Sequence, residues 1–266
     1  IPYSYETYEF WPDHAYERAR SFLDEQRKFL VNAEKKYARK ASFLVTVSDF
    51  LAQEYQAELK LDTKPEVIFN APHTLASAPS PAHSPLRVLF LGNIQRERNV
   101  EFLLHSVAKV QGVTLTFQGR GSMANSLRQE AHRLGIEDRV FFKDPVPYAQ
   151  VADSASHYDV GVVCHEAYNR QMEGALPNKF FEYMAGGLAI LAPRTHAFEM
   201  IEHFDTFGLF VDASSLESII TALGDLRDNP QDLLARKESA FALAPKYCGE
   251  VRQKNIVELY KFLLET

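Results

Sequence analysis

The sequence predicts an α/β protein built on a doubly wound parallel sheet, and three observations carry that prediction. Between residues 86 and 211, short apolar runs of strand character alternate with segments of helical period, the pattern of a parallel sheet with crossover helices. Two strand-to-helix turns, at Gly92-Asn93 and Gly119-Arg120-Gly121, are built on glycine. The buried-looking run over 158–164 leads to a helix opening with Pro177, Asn178 and Lys179, where an open α/β sheet presents its ligand-binding edge.

Taken in order, residues 13–40 are charged and helical in period, with Phe22, Phe29, Leu30, Ala33 and Tyr37 as an apolar stripe and no partner strand ahead of them. A strand over 42–47 leads to Ser48, the N-cap of a helix, and a strand over 66–69 ends in Asn70-Ala71-Pro72. Residues 74–85 crowd Ser, Ala, Pro79, Pro81 and Pro85 together, which is a linker composition. The chain thus divides into a partial N-terminal α/β segment (1–73), a linker (74–85), a main domain (86–248) and a C-terminal helix (249–266). In the main domain, strands are expected over 86–91, 113–118, 139–143, 158–164, 188–192 and 209–211. Helices lie between them: one carries Val100, Leu103, Leu104, Val107 and Val110 on one face, another spans 122–134, one opens at Pro177, and one spans 197–203. The tail adds helices over 216–226, 231–242 and 250–264.

Composition narrows the function. A hydrophobic fraction of 46% and a charged fraction of 24% are those of an ordinary soluble globular protein. No run approaches the ~18 apolar residues that span a bilayer, and no signal peptide is seen in these residues. The net charge of -6 argues against nonspecific nucleic-acid binding, which needs basic surface to replace counterions. Cys164 and Cys248 show no metal-ligand spacing and suit a reducing cytoplasm. The first residue, Ile1, suggests a truncated or processed chain. Oligomeric state is not encoded in any of these patterns.

The chemistry gathers at the two edges of the Pro177 turn. Asn178, Lys179 and Glu182 share a helical face while Phe181, Met184 and Ala185 turn inward, so one helix N-terminus offers free amides, a cation and a carboxylate. A phosphate would use the first two and a diol such as ribose the third; the competing reading is a solvated Lys179–Glu182 salt bridge. Gly92 lets a ligand approach the main chain, and Arg98 stands where a guanidinium could meet a phosphate as a fork. The turn Gly119 to Ala124 satisfies G-x-G-x-x-A with Asp144 roughly 20 residues on, which admits a nicotinamide-dinucleotide reading or a turn that lets a helix pack closely. The loop with His165, Glu166, Asn169 and Glu173 overhangs the same sheet edge and could bind hydroxyls or pass protons. Asp-x-Asp does not occur in the chain, and no metal dependence is indicated.

Several segments together resemble a known family. Arg87 to Gly92 with the following Arg98, Gly119-Arg120-Gly121, Leu134 to Phe142, Tyr158-Asp159-Val160-Gly161 and Leu176 to Gly187 are similar to the nucleotide-binding half of retaining GT-B glycosyltransferases of family 4. Segments 37–48 and 65–72 resemble the end of the acceptor domain of such enzymes. The resemblance implies a Rossmann-like fold and transfer from a UDP- or GDP-activated sugar to a glycan or lipid-linked acceptor in polysaccharide biosynthesis. It implies no cofactor beyond that donor, no metal, and a cytoplasmic setting at the inner face of a membrane. It implies that Glu182 is the second glutamate of a Glu-x7-Glu pattern holding ribose, that Arg98 stands for a phosphate-binding lysine, and that the backbone of the strand end at Phe142 meets the base, with Gly119 also among the donor-binding positions. Asn93 stands where many members carry arginine, and Gly174 stands where the first glutamate belongs, with Glu173 one position off. Sugar hydroxyls then fall to Glu173, or to Lys179 and the main chain of Ala175 and Leu176. Arg98, Lys179 and Glu173 are accordingly the expected catalytic residues. Two other classes remain beside this one: a scaffolding module acting through residues 13–40, and the nicotinamide enzyme. A chain holding only the last part of an acceptor domain could also bind donor without turnover.

Overall fold

The structure is a computed structural model and describes residues 3–8, 24–247 and 249–265. It contains two parallel sheets. In the main sheet six strands run in the order β6-β5-β4-β7-β8-β9. They are β4 (Leu86–Leu91), β5 (Val113–Gln118), β6 (Val140–Lys143), β7 (Val160–Val162), β8 (Ala189–Pro193) and β9 (Gly208–Val211). All neighbours pair in parallel, as the alternating pattern predicts.

Alternate residues of each strand supply two cores. Val88, Phe90, Leu115 and Val162 face α3 (Val100–Lys109), α4 (Ala124–Arg133) and α10 (Leu216–Asp228). Leu89, Leu91, Ile190 and Ala192 face α7 (Asn178–Gly186) and α11 (Pro230–Leu243). Short helices that periodicity cannot reveal fill the gaps: α5 (Val151–Ala155), α6 (Arg170–Glu173), α8 (His196–Glu199) and α9 (Phe204–Phe207). The helix expected over 197–203 is replaced by the last two.

The smaller sheet orders β1 (Ser4–Glu6), β2 (Phe43–Thr46) and β3 (Glu66–Val67), flanked by α1 (Asp24–Ala38) and α2 (Asp49–Leu59). Here the structure corrects two expectations. A strand does precede α1: β1 pairs with β2 from Ser4↔Phe43 to Glu6↔Val45, in a stretch whose many aromatic and polar residues mask the strand period. Two members of the expected apolar stripe of α1 face outward, Phe29 being 71% and Tyr37 54% exposed. Glu34 and Ala38 are buried instead, because the Glu34 carboxylate accepts hydrogen bonds from Tyr5 (3.0 Å) and Tyr55 (3.1 Å). Burial holds the Glu34 pKa up at about 7. Residues 13–23, Phe22 among them, and Cys248 lie outside the described residues. The C-terminal helix α12 (Gly249–Glu265) returns to this sheet, where the Tyr260 hydroxyl donates to Glu6 at 2.9 Å and its ring meets Phe43 edge-on.

Residues 74–85 run along the main sheet, pinned by a buried ion pair. Lys237 of α11 and Asp159 before β7 are both fully buried and 2.7 Å apart. Lys237 also donates to Ser80 (2.9 Å) and the Tyr158 carbonyl (3.0 Å), and Asp159 accepts from the amides of His83 and Arg87. Each charge is therefore surrounded by partners, the condition under which a buried pair is tolerated.

Candidate functional site

The strand order reverses between β4 and β7, and at such a point the carboxyl ends of an open sheet leave a crevice. Pairing of these two strands is short, covering Val88↔Val160 and Leu89↔Gly161 only. Beyond it the Tyr183 hydroxyl of α7 takes over: it accepts from the Leu91 amide (2.9 Å) and donates to the Val162 carbonyl (3.2 Å). The ring reaches that place because residue 161 is glycine; a Cβ there would lie 2.2 Å from it. The strands are thus satisfied but separated, and a cleft of about 650 Å³ opens at their ends.

Gly92, Asn93, Arg98, Ala175, Leu176, Asn178, Lys179 and Glu182 line this cleft. Gly92 takes a positive φ of 98°, which turns the chain out of β4. Arg98 ends the 3₁₀ turn Arg96–Arg98. Lys179 does not pair with Glu182; its ammonium lies 3.6 Å from the centroid of the Phe90 ring, a cation–π contact. Burial lowers the Lys179 pKa to about 8, Arg98 adding to the effect. Burial likewise raises Glu182 to about 7, against the pull of Lys179. Two cations and a carboxylate so share one wall with the N-terminus of α7, whose N-cap is Pro177.

The opposite wall comes from the smaller sheet, and sequence reasoning missed it. Tyr8, Val47 and Asn70 line the cleft, as do Gln171 and Met172. Asn70 donates to the Asn178 side chain at 2.8 Å, and Ser48, besides capping α2, donates to the Gly174 carbonyl at 2.7 Å. The polar ends of two predicted elements, Ser48 and Asn70, were the available signal.

The loop residues divide. Asn169 caps α6 by accepting from the Met172 amide (2.8 Å), and Glu166 accepts from Asn99 (3.0 Å). His165 is 1% exposed with both ring nitrogens lacking a partner, and burial lowers its pKa to about 4, so its ring is neutral. Among the described residues no cluster of three metal-ligating side chains forms.

Against known proteins, the family description "Glycosyl transferases group 1" matches residues 85–229, more than half of the chain. The chain belongs to the group 1 glycosyl transferases. A search of curated proteins with the sequence finds no match. Solved structures share the fold of this group 1 chain. It aligns with sucrose-phosphate synthase from Thermosynechococcus elongatus with a TM-score of 0.78 and 17% identity, over 100% of this chain and 68% of that one. For HepE from Anabaena, solved with UDP and glucose, the values are 0.75 and 17%, over 98% and 71%. For the pneumococcal O-GlcNAc transferase GtfA, solved with UDP and GlcNAc, they are 0.66 and 13%, over 88% and 47%. The GT-B, Rossmann-like architecture expected from the sequence is the one observed.

One expected site residue of this group 1 transferase lies elsewhere, and the side chain of Phe142 and the glycines of the second turn have packing roles. The Glu173 carboxylate does not line the cleft, because it accepts from the His196 amide (3.1 Å) and meets His196 Nδ1 at 2.8 Å, closing the N-terminus of α8. Phe142 turns its ring into the core, stacked on Phe117 at 5.2 Å with Arg128 over its other face. Gly119 and Gly121 serve loop packing: added Cβ atoms would lie 1.9 Å from the Gly92 carbonyl oxygen and 2.1 Å from that of Ile94. The G-x-G-x-x-A match is therefore explained by contact between two loops. The partner acid of that motif, Asp144, is exposed and faces Arg120 at 3.4 Å. Among the described residues no helix is long and apolar enough to cross a membrane.

Proposed function

We propose that this chain binds a nucleoside diphosphate sugar, UDP- or GDP-linked, and transfers its sugar to a glycan or lipid-linked acceptor, with retention and without a metal ion. The observation that carries this reading is the meeting of Arg98, Lys179 and Glu182 in one cleft at the strand-order reversal. The Glu182 carboxylate takes the hydrogen bonds of the pentose diol. Arg98 and Lys179, with the α7 amides, face the diphosphate.

In the transfer the bond from the anomeric carbon to the diphosphate oxygen breaks, an acceptor oxygen bonds to that carbon on the same face, and the acceptor hydroxyl proton passes to the leaving diphosphate. Negative charge then grows on the leaving diphosphate. Fixed cations and a helix N-terminus stabilise that charge with little reorganisation, which is the usual source of such catalysis. Sugar hydroxyls have the Ala175 and Leu176 main chain and Gln171 within the same cleft. The complexes of HepE and GtfA with UDP support this class of donor. A cytoplasmic setting beside a membrane, where lipid-linked acceptors are presented, belongs to the same proposal.

Calorimetry with UDP, GDP and their glucose and mannose derivatives tests it. At least one nucleotide is expected to bind at micromolar concentration, and Glu182→Ala and Arg98→Ala each to weaken it by roughly tenfold to a hundredfold. No binding by any of them, or binding indifferent to both substitutions, would refute the assignment.

A further inference from the structure

A second groove lies on the main sheet away from the cleft. Strand β5 alternates strictly: Val113, Leu115 and Phe117 enter one core, while Thr114, Thr116 and Gln118 face the other way. Along that second face Thr116 (4% exposed) and Gln118 (3%) are covered, while Thr114 is half-buried and Arg87 and Phe141 are exposed, so only this corner of the sheet meets water. On that open side Arg87 stands beside Thr114, and Phe141 beside Thr116. Helix α5 covers only the end of the strand, where Ser154 and Gln118 exchange hydrogen bonds at 3.0 and 3.1 Å. What remains uncovered is a groove of about 410 Å³ that shares no lining residue with the donor cleft.

Its chemistry is one-sided. Arg87, Lys143 and His157 line it, and no carboxylate does, on a chain of net charge -6. Arg87 donates to the His157 carbonyl (3.3 Å) and Lys143 to the Tyr158 hydroxyl (2.9 Å), so both cations have neutral partners. Between them Phe141 is 45% exposed, and the half-buried Thr114 brings a hydroxyl to the same groove. Two cations flanking an aromatic face with adjacent hydroxyls fit a small anionic ligand with a C–H face. The groove is too small and too lightly charged to track a nucleic-acid backbone.

We propose that this groove is a second binding site that takes a sugar unit bearing a carboxylate or phosphate. Arg87 and Lys143 hold the anionic group, Phe141 carries the pyranose face, and Thr114 meets a hydroxyl.

Calorimetric titration with glucuronate and with glucose 1-phosphate tests this and separates the two anionic groups. At least one is expected to bind, about tenfold or more weakly in Arg87→Gln and in Lys143→Gln, and undiminished in Glu182→Ala, whose lesion lies in the other cleft. Glucose and inorganic phosphate are expected to bind at least about tenfold more weakly than the better anionic sugar. Phe141→Ala, at an exposed ring, supplies the same reading should either cation variant fail to fold. The proposal is overturned if neither anionic sugar binds, if the groove substitutions leave binding intact, if Glu182→Ala abolishes it, or if phosphate alone binds as well as glucose 1-phosphate.

Discussion

Protonation of Glu182 should control donor affinity across the neutral range. With its pKa raised to about 7 by burial, this carboxylate is ionised above that pH and neutral below it. A pentose diol donates to the ionised form, so affinity must fall as pH drops. At pH 6 roughly a tenth of the groups are ionised and at pH 8 roughly nine tenths, which weakens binding about tenfold, or about 1.4 kcal/mol. Lys179, lowered to about 8, discharges above that value, and affinity for a diphosphate falls again on the alkaline side. The maximum is therefore expected between about pH 7 and pH 8. UDP-glucose is the right probe, since a terminal phosphate monoester itself titrates near pH ~6 and would obscure the acid limb. Glu182→Gln should remove the acid limb, differing little from the native protein at pH 5.5 and binding about 10- to 100-fold more weakly at pH 8. Uridine should keep the acid limb and lose the alkaline one. Calorimetric affinities between pH 5.5 and 9 decide the matter. A flat native profile below pH 8, or an acid limb persisting in Glu182→Gln, would refute the placement of the pentose on this carboxylate.

The same shift bears on stability. A folded pKa above the unfolded value gives a contribution that is full below about 4.5 and lost as pH rises through about 7, so Glu182→Gln should raise the melting temperature at pH 8 and not at pH 4. The gain is at most about 3 kcal/mol, read by thermal unfolding at both pH values. Arg98→Gln should weaken UDP binding by about tenfold or more while leaving uridine affinity unchanged in competition titration. Lys237→Met leaves Asp159 buried without its cation and should cost about 3–5 kcal/mol in urea unfolding, with Asp159→Asn added to it restoring part of the loss. Gly121→Ala forces a methyl group against the Ile94 backbone and should cost about 1–3 kcal/mol while weakening UDP-glucose binding through displacement of the Gly92 loop. An unchanged melting curve for this variant would show that the two loops do not support each other.

Much of the main sheet was legible because its strands and helices differ in period and length. Alternation of apolar runs with the stripe Val100, Leu103, Leu104 and Val107 pointed to a parallel α/β sheet and its core faces, while the strand order came from the structure. Lys179 and Glu182 could be grouped from helical spacing, and Arg98 joined them through the family resemblance; the cleft brings all three together. What sequence could not supply was non-local. Glu173 is one residue from a position that would fit, yet its carboxylate is claimed by His196, 23 residues away. On α1 a glutamate is buried while Phe29 and Tyr37 are exposed, because two tyrosines from separate elements hydrogen-bond Glu34, an arrangement no helical period encodes. The glycine fingerprint misled for a related reason: residue type records that space is scarce, not whether a nucleotide or another loop occupies it.

The phenol of Tyr183 stands in for the ladder bond that would otherwise zip β4 to β7. Because this wedge belongs to the same helix that carries Lys179 and Glu182, the aperture of the crevice and the furnishing of its wall move as one rigid body. A tilt of α7 would narrow the mouth and withdraw the charged groups together. Such a helix can be tuned by substitutions on its buried face, around Phe180 and Met184, without any change to the groups that meet the ligand.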